Sequence, residues 1–441
     1  MSVVAGQRPS RPGLGPSIHL IRRMHLRGRR AWRLLVVIAA AVAGGVLAVL
    51  FAKLCDLAGA VHAGWAQRWP LAVLLLPPIV LPLMVWLTRA VAPEAGGSGI
   101  PQVIAASEEA RRGVSDSRVS LRTAGFKMLI AAVLLAAGLS IGREGPTVQI
   151  VAALVFAFTA RLRGGPHPRT LLIAGGAAGV AAAFNTPLAG VVFAVEELAK
   201  GFERRAATVV ILVVVAAGAA SYALSGDYSY FGEMRGSRAL LSAWMTAPIM
   251  GLAGGLAGGA FSKTLASVLG PEKGPLGRLR LSRPLLFALI CGLVTSAVAF
   301  ASHGLSYGTG YQEASSLLQG HPVRAVTLGL SKWVANLAAA ATGAPGGIFS
   351  PSLATGAGIG GAIGEFIPFA ASRDSIVLGM AGYLSGVVQA PLTSAIILME
   401  MTRDPGLVGP LMLGSLLARA VSARICPKPV YHALAEGVAA P

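Results

Sequence analysis

The chain is poor in charged residues. Asp, Glu, Lys and Arg make up 12% of its 441 residues, whereas 54% are hydrophobic. Soluble globular domains carry about twice that share of charge, so the composition excludes this class and predicts an integral membrane protein. Acids are the scarcer sign: 18 stand against 37 Lys and Arg, a formal net charge of +19. The basic residues lie at the ends of apolar segments, which predicts positive-inside topology rather than nucleic-acid binding.

Groups suited to metal binding or covalent catalysis are also few. The three cysteines, Cys55, Cys291 and Cys426, are far apart, so they predict neither a disulfide framework nor a metal site. The seven histidines form no cluster with ligand spacing, and H-E-x-x-H does not occur. A membrane hydrolase or protease is therefore disfavoured, and we expect no enzyme activity, no metal and no cofactor.

The first 33 residues contain arginine but no acid. We expect 1–33 to be a basic cytoplasmic segment. The apolar run that follows at 34–52 has no small-residue cleavage pattern, so a cleaved signal peptide is not expected. The arginines are Arg8, Arg11, Arg22, Arg23, Arg27, Arg29, Arg30 and Arg33.

Apolar segments follow one another with short polar gaps. Several are shorter than the roughly 20 residues that a helix needs to cross a bilayer, and Gly and Pro interrupt them. They predict helices that enter the membrane and end inside it, where protein or a watery cavity must satisfy the backbone. The 56 glycines predict close helix packing. The clearest segments are 34–52, 71–92, 128–141, 147–160, 171–183, 206–224, 243–269, 284–301, 352–370 and 405–421.

An internal repeat relates two parts of the chain at an offset of about 205 residues. The matched landmarks are Lys127 with Lys332 (332 − 127 = 205), Pro146 with Pro351 (351 − 146 = 205), and 186–188 with 390–392 (390 − 186 = 204). We therefore expect one membrane domain over 34–435, with halves at about 34–230 and 240–430, and a short tail at 436–441. The sequence leaves open whether the halves are inverted or parallel. Such halves often hold a substrate where broken helices meet.

Two Gly-rich segments are suited to bind an anion. In Gly96–Pro101, Ser98 lies near the start of a helix, where its hydroxyl and the free N–H groups can donate to an anion. In Gly346–Pro351, the backbone N–H groups of Ile348 and Phe349 can bind one without a nearby cation, weakly enough for it to leave. The alternative for each segment is an ordinary helix cap or junction.

Acidic residues also lie next to apolar segments that we expect to be inside the membrane. Glu144 stands between two apolar segments, and an intramembrane acid predicts a functional site. Its carboxylate can occupy an anion site that the neutral form would leave. Glu196 and Glu197 end an apolar helix, where one can be structural and the other a proton acceptor. The alternatives are an interfacial pair of Arg143 with Glu144 and a solvated helix end. The late Tyr431 can donate its hydroxyl to an anion, although the residue taken alone favours a Tyr at the membrane interface.

Taken in order, these motifs resemble the signature elements of the CLC family of chloride channels and chloride/proton antiporters. The resemblance covers about 34–435. It implies an all-α membrane fold of two inverted halves with tilted, partly broken helices, and a homodimer with a separate anion pathway in each subunit. We accordingly expect a multi-pass protein of the inner (plasma) membrane. The motifs are Gly97-Ser98-Gly99-Ile100-Pro101, Gly142-Arg143-Glu144-Gly145-Pro146, Gly347-Ile348-Phe349-Ser350-Pro351 and Tyr431.

The resemblance implies a chloride site. Ser98 and Tyr431 would donate hydroxyls to a central chloride, and the backbone N–H groups of Ile348 and Phe349 would complete the site. Within the family, Pro at the position of Ser98 goes with nitrate preference, so Ser indicates chloride. The expected partners are chloride, protons, lipid and a second copy of the chain, but no nucleic acid.

The resemblance implies a proton pathway as well. Glu144 would be the external gate and proton carrier, and Glu197 the internal proton acceptor. Family channels often lack an acid at the position of Glu197, so its presence favours a chloride/proton antiporter. A passive chloride channel of the same fold remains the alternative.

The chain departs from the family in two respects. Relatives often carry acids where this sequence has Gln102, Val103 and Ile104, which leaves the partner of Lys127 open. The cytoplasmic nucleotide-binding-type repeats of many eukaryotic members are missing, which suggests a compact bacterial-type protein.

Overall fold

The structure, a computed structural model, describes residues 16–111, 117–160, 162, 164–199, 204–226, 230–232, 240–369 and 371–439. Within these ranges the chain is all-α, apart from an isolated antiparallel pairing of Gly142 with Gly347. Of the basic segment 1–33, residues 1–15 lie outside the described residues, and the rest opens the first helix. The helices are α1 (Pro16–Arg68), α2 (Leu76–Val91), α3 (Ile100–Arg111), α4 (Leu121–Ala136), α5 (Glu144–Thr159), α6 (Pro168–Phe184), α7 (Pro187–Phe193), α8 (Arg204–Ser225), α9 (Leu240–Leu269), α10 (Pro275–Ser282), α11 (Pro284–Ala301), α12 (Tyr311–Leu318), α13 (Ala325–Ala341), α14 (Phe349–Gly364), α15 (Ser372–Val388), α16 (Pro391–Thr402), α17 (Val408–Ile425) and α18 (Val430–Ala439).

The described helices include both long and short apolar ones. Six are long and apolar enough to cross a membrane: Ala31–Arg68, Ala72–Val91, Ala206–Ser225, Leu240–Leu269, Pro284–Ala301 and Pro405–Ile425. Four shorter apolar helices are Glu144–Thr159, Pro168–Phe184, Ala325–Ala341 and Pro391–Thr402. Helices of this kind are too short to span alone, in line with the prediction that some helices end at depth.

Glycines allow the helices of the second half to pack at backbone distance. A Cβ atom added to Gly254 on α9 would lie 2.4 Å from the carbonyl carbon of Gly382 on α15. One turn further along, a Cβ on Gly258 would lie 2.6 Å from the carbonyl carbon of Gly386. These separations are too short for any side chain, so the two helices touch along matching glycine stripes, as the glycine content predicted.

The two halves are tied together by reciprocal helix caps. The carboxylate of Glu196 accepts hydrogen bonds from the N–H groups of Leu392 (3.1 Å) and Thr393 (2.7 Å), in the first turn of α16. The carboxylate of Glu400, at the end of α16, accepts bonds from the first turn of α7 at the same two distances, 3.1 and 2.7 Å. Each half therefore caps a helix of the other, and the two halves are related by an approximate two-fold axis.

The repeated lysines hold equivalent loops. The ammonium group of Lys127 is fully buried and donates to the carbonyls of residues 95, 96 and 97 at 2.8, 3.3 and 3.0 Å. Lys332, also fully buried, donates to the carbonyls of residues 306, 307 and 308. The partner of Lys127 is thus backbone rather than an acid, and the missing family acids leave it well bonded.

Candidate functional site

The first motif enters the site as an extended loop ahead of α3. Ser98 lies two residues before the helix, whose first residue is Ile100, and so lies near the helix start as the sequence predicted. The side chain of Gln102 stabilises the turn: its carbonyl oxygen accepts from Gly99 N–H at 2.9 Å and its amide donates to Gly96 O at 2.6 Å. The Ser98 hydroxyl therefore does not cap the helix. It is buried, 6% exposed, and makes no hydrogen bond within the described structure.

The second motif places an acid at the first residue of a buried helix. Glu144 begins α5 and is 1% exposed. One carboxylate oxygen accepts a hydrogen bond from the Ser350 hydroxyl, and the other has no hydrogen-bond partner among the described residues. Arg143 instead donates to Ala52 O at 2.9 Å and forms an ion pair with Asp56 at 2.5 Å. Because these neighbours have separate partners, the alternative of an interfacial Arg143–Glu144 pair does not describe this segment.

The third motif lies against the second at backbone distance. Gly142 and Gly347 exchange two hydrogen bonds, of 2.6 and 2.7 Å between N and O. Phe349 begins α14, and the first bond of that helix runs from Ser352 N–H to Ile348 O. The N–H groups of Ile348 and Phe349 therefore precede the helical hydrogen-bond ladder and are available to an anion, together with the positive end of the helix dipole.

The first and third motifs are joined in the same way. Gly97 N–H donates to Gly343 O at 2.8 Å, and Gly346 N–H donates to Gly97 O at 3.2 Å. A Cβ atom on Gly99 would lie 2.4 Å from Gly145 O, so the first motif also touches the second. The starts of α3, α5 and α14 consequently meet at one place, although they are distant in sequence.

Tyr431, in the first turn of α18, completes this cluster. Its side chain is fully buried, and its hydroxyl has no hydrogen-bond partner within the described residues. The hydroxyl lies within electrostatic range of Ser98, Glu144 and Glu197. A buried hydroxyl without a partner is costly. Ser98 and Tyr431 supply two such hydroxyls near a group of helix starts. Together these donors can bind a small anion such as a halide.

The pair of acids after α7 lies within a π-helical turn, and the two side chains point to different helices. This turn covers Ala194–Leu198, and such turns occur often at functional sites. Glu196 faces α16 and caps it, whereas Glu197 faces α18 and is 3% exposed. The Glu197 side chain lies 3.8 Å from the ring of His432. The structure thus places Glu197 near both Tyr431 and His432. The alternative of a solvated helix end does not fit the burial of Glu197.

Two site residues were not found from the sequence. Ser350 belongs to the third motif, but only the folded chain brings its hydroxyl to Glu144. His432 directly follows Tyr431, but a lone histidine carries no ligand or catalytic spacing. Its proximity to Glu197 is visible only in three dimensions.

Comparison with known proteins identifies the family of this chain. A family model described as "Voltage gated chloride channel" matches residues 80–423. The chain belongs to this CLC family. The H(+)/Cl(-) exchange transporter ClcA of Yersinia pestis bv. Antiqua (strain Angola) is 30% identical over 433 residues, covering 91% of this chain and 87% of the relative. ClcA of Yersinia pseudotuberculosis serotype IB (strain PB1/+) is 29% identical over 441 residues, with the same 91% and 87% coverage.

Solved structures support the CLC fold. A slow cyanobacterial Cl-/H+ antiporter superposes with a TM-score of 0.78 at 24% identity, covering 92% of this chain and 98% of that one. A CLC-type fluoride/proton antiporter gives a TM-score of 0.76 at 20% identity, covering 91% and 97%. The predicted all-α CLC-type membrane fold is confirmed. The matching family model is described as a chloride channel, and the similar ClcA proteins are named as exchange transporters.

Proposed function

We propose that this CLC protein exchanges chloride for protons across the membrane, with Glu144 as the gate and proton carrier. The observation that carries the proposal is the position of the Glu144 carboxylate. It is buried at the meeting point of three helix starts, bonded to Ser350 and near the unpartnered hydroxyl of Tyr431. The carboxyl group lies at the place where the backbone favours negative charge. Relatives named H(+)/Cl(-) exchange transporters support the choice of ions.

Chloride would be held by neutral donors. The hydroxyls of Ser98 and Tyr431 and the N–H groups of Ile348 and Phe349 are the proposed ligands. Lys127 of α4 is a buried cation beside the first-motif loop, but its ammonium group is directed to three carbonyls. The anion would therefore meet dipoles rather than a full positive charge, and dipoles bind weakly enough to permit release.

Coupling follows from competition between a carboxylate and chloride. Charged Glu144 occupies the anion site. Protonation removes its charge and its attraction to the helix starts, so the side chain leaves and chloride enters. Glu197, buried near Tyr431, would exchange that proton with the cytoplasmic side. One movement of the Glu144 side chain thus links each proton to the passage of chloride in the opposite direction.

The arrangement in the membrane is part of the same proposal. Basic residues before residue 34 place the N-terminus in the cytoplasm. Residues 34–435 form one transmembrane domain, followed by a tail at 436–441. The working unit is a homodimer in the inner (plasma) membrane, with one chloride pathway in each subunit, and it requires no cofactor.

Simultaneous measurement of chloride and proton flux in proteoliposomes tests the gate. Glu144→Gln keeps the shape of the side chain but cannot lose a proton, so we expect proton flux to disappear while chloride flux persists. Glu365→Gln, an exposed carboxyl at the far end of α14, is the matched control and should behave as wild type. Proton movement that persists in Glu144→Gln and stays tied to chloride would refute the gating role.

The same assay separates antiport from the channel alternative. Glu197→Gln should abolish proton flux and retain chloride passage, because the buried acceptor is lost while the chloride ligands remain. Unchanged coupling would remove Glu197 from the scheme. If the wild-type protein moves chloride down its gradient without any proton movement, the passive channel is the correct function.

A further inference from the structure

Glu197 has a second titratable neighbour besides Tyr431. The Nε2 atom of His432 lies 3.8 Å from Oε1 of Glu197. This separation is slightly longer than a hydrogen bond, and a small rotation of either side chain would close it. Tyr431 and His432 are consecutive in the first turn of α18. One helical turn therefore carries both a proposed chloride ligand and an imidazole group.

The two side chains differ in their access to solvent. Glu197 is 3% exposed, whereas the side chain of His432 is 14% exposed. His432 is thus the outer member of the pair, and a proton that travels between solvent and Glu197 along this route meets the imidazole first. Imidazole ordinarily gains and loses a proton near neutral pH, and each ring nitrogen can serve as donor or acceptor.

The other charged groups described around α18 are engaged with one another. Arg118, which reaches the end of α18 at Val438 O, forms an ion pair with Glu109 of α3. Lys428, just before the helix, forms an ion pair with Glu436 at 2.8 Å. His432 is an ionisable side chain that lies beside Glu197 and is more exposed to solvent than Glu197 is.

We propose that His432 relays protons between the cytoplasmic solution and Glu197. The inference rests on the proposed antiport function and adds a residue to it. In the inward-facing step, imidazolium Nε2–H gives its proton to the Glu197 carboxylate. The neutral ring then regains a proton from water. In the reverse step, the Glu197 carboxyl group returns the proton to neutral Nε2, and the ring passes one proton to water. No other reactant is needed, and charge balances at each transfer.

A role in positioning makes a different prediction. If His432 only held Glu197 or α18 in place, a side chain of similar size and hydrogen-bonding ability would substitute for it. If it relays protons, such a side chain would fail because it cannot be protonated, and free imidazole would restore function to a variant with an emptied position.

The experiment compares two variants in proteoliposomes with chloride and proton fluxes recorded together. We expect His432→Gln and His432→Ala to retain chloride flux and to lose at least about tenfold in proton flux, the lower range for a proton-transfer group. Added imidazole should restore proton flux in His432→Ala and leave His432→Gln unchanged. His321→Gln, an exposed histidine in the loop before α13, is the matched control and should couple normally.

Each outcome decides the matter. Normal proton flux in His432→Gln, while Glu197→Gln still abolishes it, would overturn the relay and leave the antiport proposal intact. Loss of chloride flux together with proton flux in both variants, without rescue by imidazole, would make His432 a structural residue of α18 and also overturn the relay. Absence of proton flux in the wild-type protein would overturn the antiport proposal itself.

Discussion

At the scale of single residues, three motifs meet because glycine occupies the points of contact. The structure leaves no space for a methyl group at Gly145: its Cβ atom would lie 2.5 Å from the Ser98 hydroxyl and 2.6 Å from Ser98 O. Real Cβ contacts do not become this short, and the carbonyl belongs to backbone that Gln102 and Lys127 hold in place on either side. The geometry of the proposed chloride site therefore requires that residue 145 has no Cβ atom.

We predict that Gly145→Ala displaces Ser98 and lowers chloride flux at least about tenfold, the effect of misplacing one binding group by a fraction of an ångström to one ångström. Gly125→Ala is the matched control. Gly125 lies within α4, and a Cβ there would meet nothing within 4 Å. This control should be neutral or stabilising, because Ala favours a helix over Gly by about 1 kcal/mol. Chloride flux per folded protein is the measurement, and equal flux in the two variants would contradict the prediction.

The sequence predicts the residues whose chemistry is unusual for their surroundings. Glu144 could be found because an acid in apolar sequence is rare, and Ser98 because it precedes a Pro-containing helix start. Ser350 and His432 could not be found in this way. A serine in a helix start and a solitary histidine are common, and only the folded chain brings them to Glu144 and Glu197.

At the scale of helices, apolar runs reveal the elements that face lipid and miss some that face protein. The segments read from the sequence did not include α13, α15 or α16. Asn336 of α13 donates to Ser140 O at 2.8 Å, and Gln389 at the end of α15 donates to Cys426 O at 2.6 Å. These polar side chains interrupt the apolar runs of α13 and α15, and they bond to other parts of the fold that the sequence does not reveal. α1 also extends past its apolar run, through Asp56, which pairs with Arg143.

The reciprocal caps make a prediction at this scale. Glu196→Ala and Glu400→Ala each leave two N–H groups at a helix start without their carboxylate partner. Each should lower the free energy of unfolding by about 2 kcal/mol, the size of a hydrogen bond to a charged group. Because the two caps are equivalent, we expect similar losses. Unfolding in detergent, followed by circular dichroism, is the measurement, and Glu365→Ala supplies an exposed carboxyl as control. A loss in one variant and none in the other would contradict the equivalence.

At the scale of the whole molecule, the repeated lysine holds a loop in each half, but only the loop of the first half leads to the proposed chloride site. Lys127 holds the loop that leads to Ser98. Lys332 holds the corresponding loop, which leads instead to Tyr311 at the start of α12, where the ring stacks against Phe231 at a centroid distance of 5.7 Å. The offset of 205 residues predicted that the two lysines correspond. It could not predict that each binds three carbonyls, because those bonds depend on loop conformation.

Lys127→Met and Lys332→Met should therefore separate stability from transport. Lys332→Met leaves three buried carbonyls without a donor in the described structure. Lys127→Met leaves Ala95 O without one, because Gln102 and Gly346 still donate to Gly96 O and Gly97 O. Each carbonyl without a donor should destabilise the fold by about 1–3 kcal/mol, so we expect the larger loss in Lys332→Met. We expect Lys127→Met also to lose chloride flux per folded protein, because the Ser98 loop is released, whereas folded Lys332→Met should retain it. Thermal unfolding in detergent and chloride flux in vesicles are the two measurements. Equal flux losses would show that both loops serve the anion site.

The pairing of Gly142 with Gly347 has a consequence for biosynthesis. The two glycines are 347 − 142 = 205 residues apart. At ~5–20 residues per second, a ribosome needs on the order of 10 to 40 seconds to make the second glycine after the first. During that interval the nascent first half has been delivered to the bilayer with its polar backbone groups at Gly142 unmatched. This pairing can therefore close only once the second half has been made, and a chain truncated before residue 347 would leave the backbone groups of Gly142 without this partner.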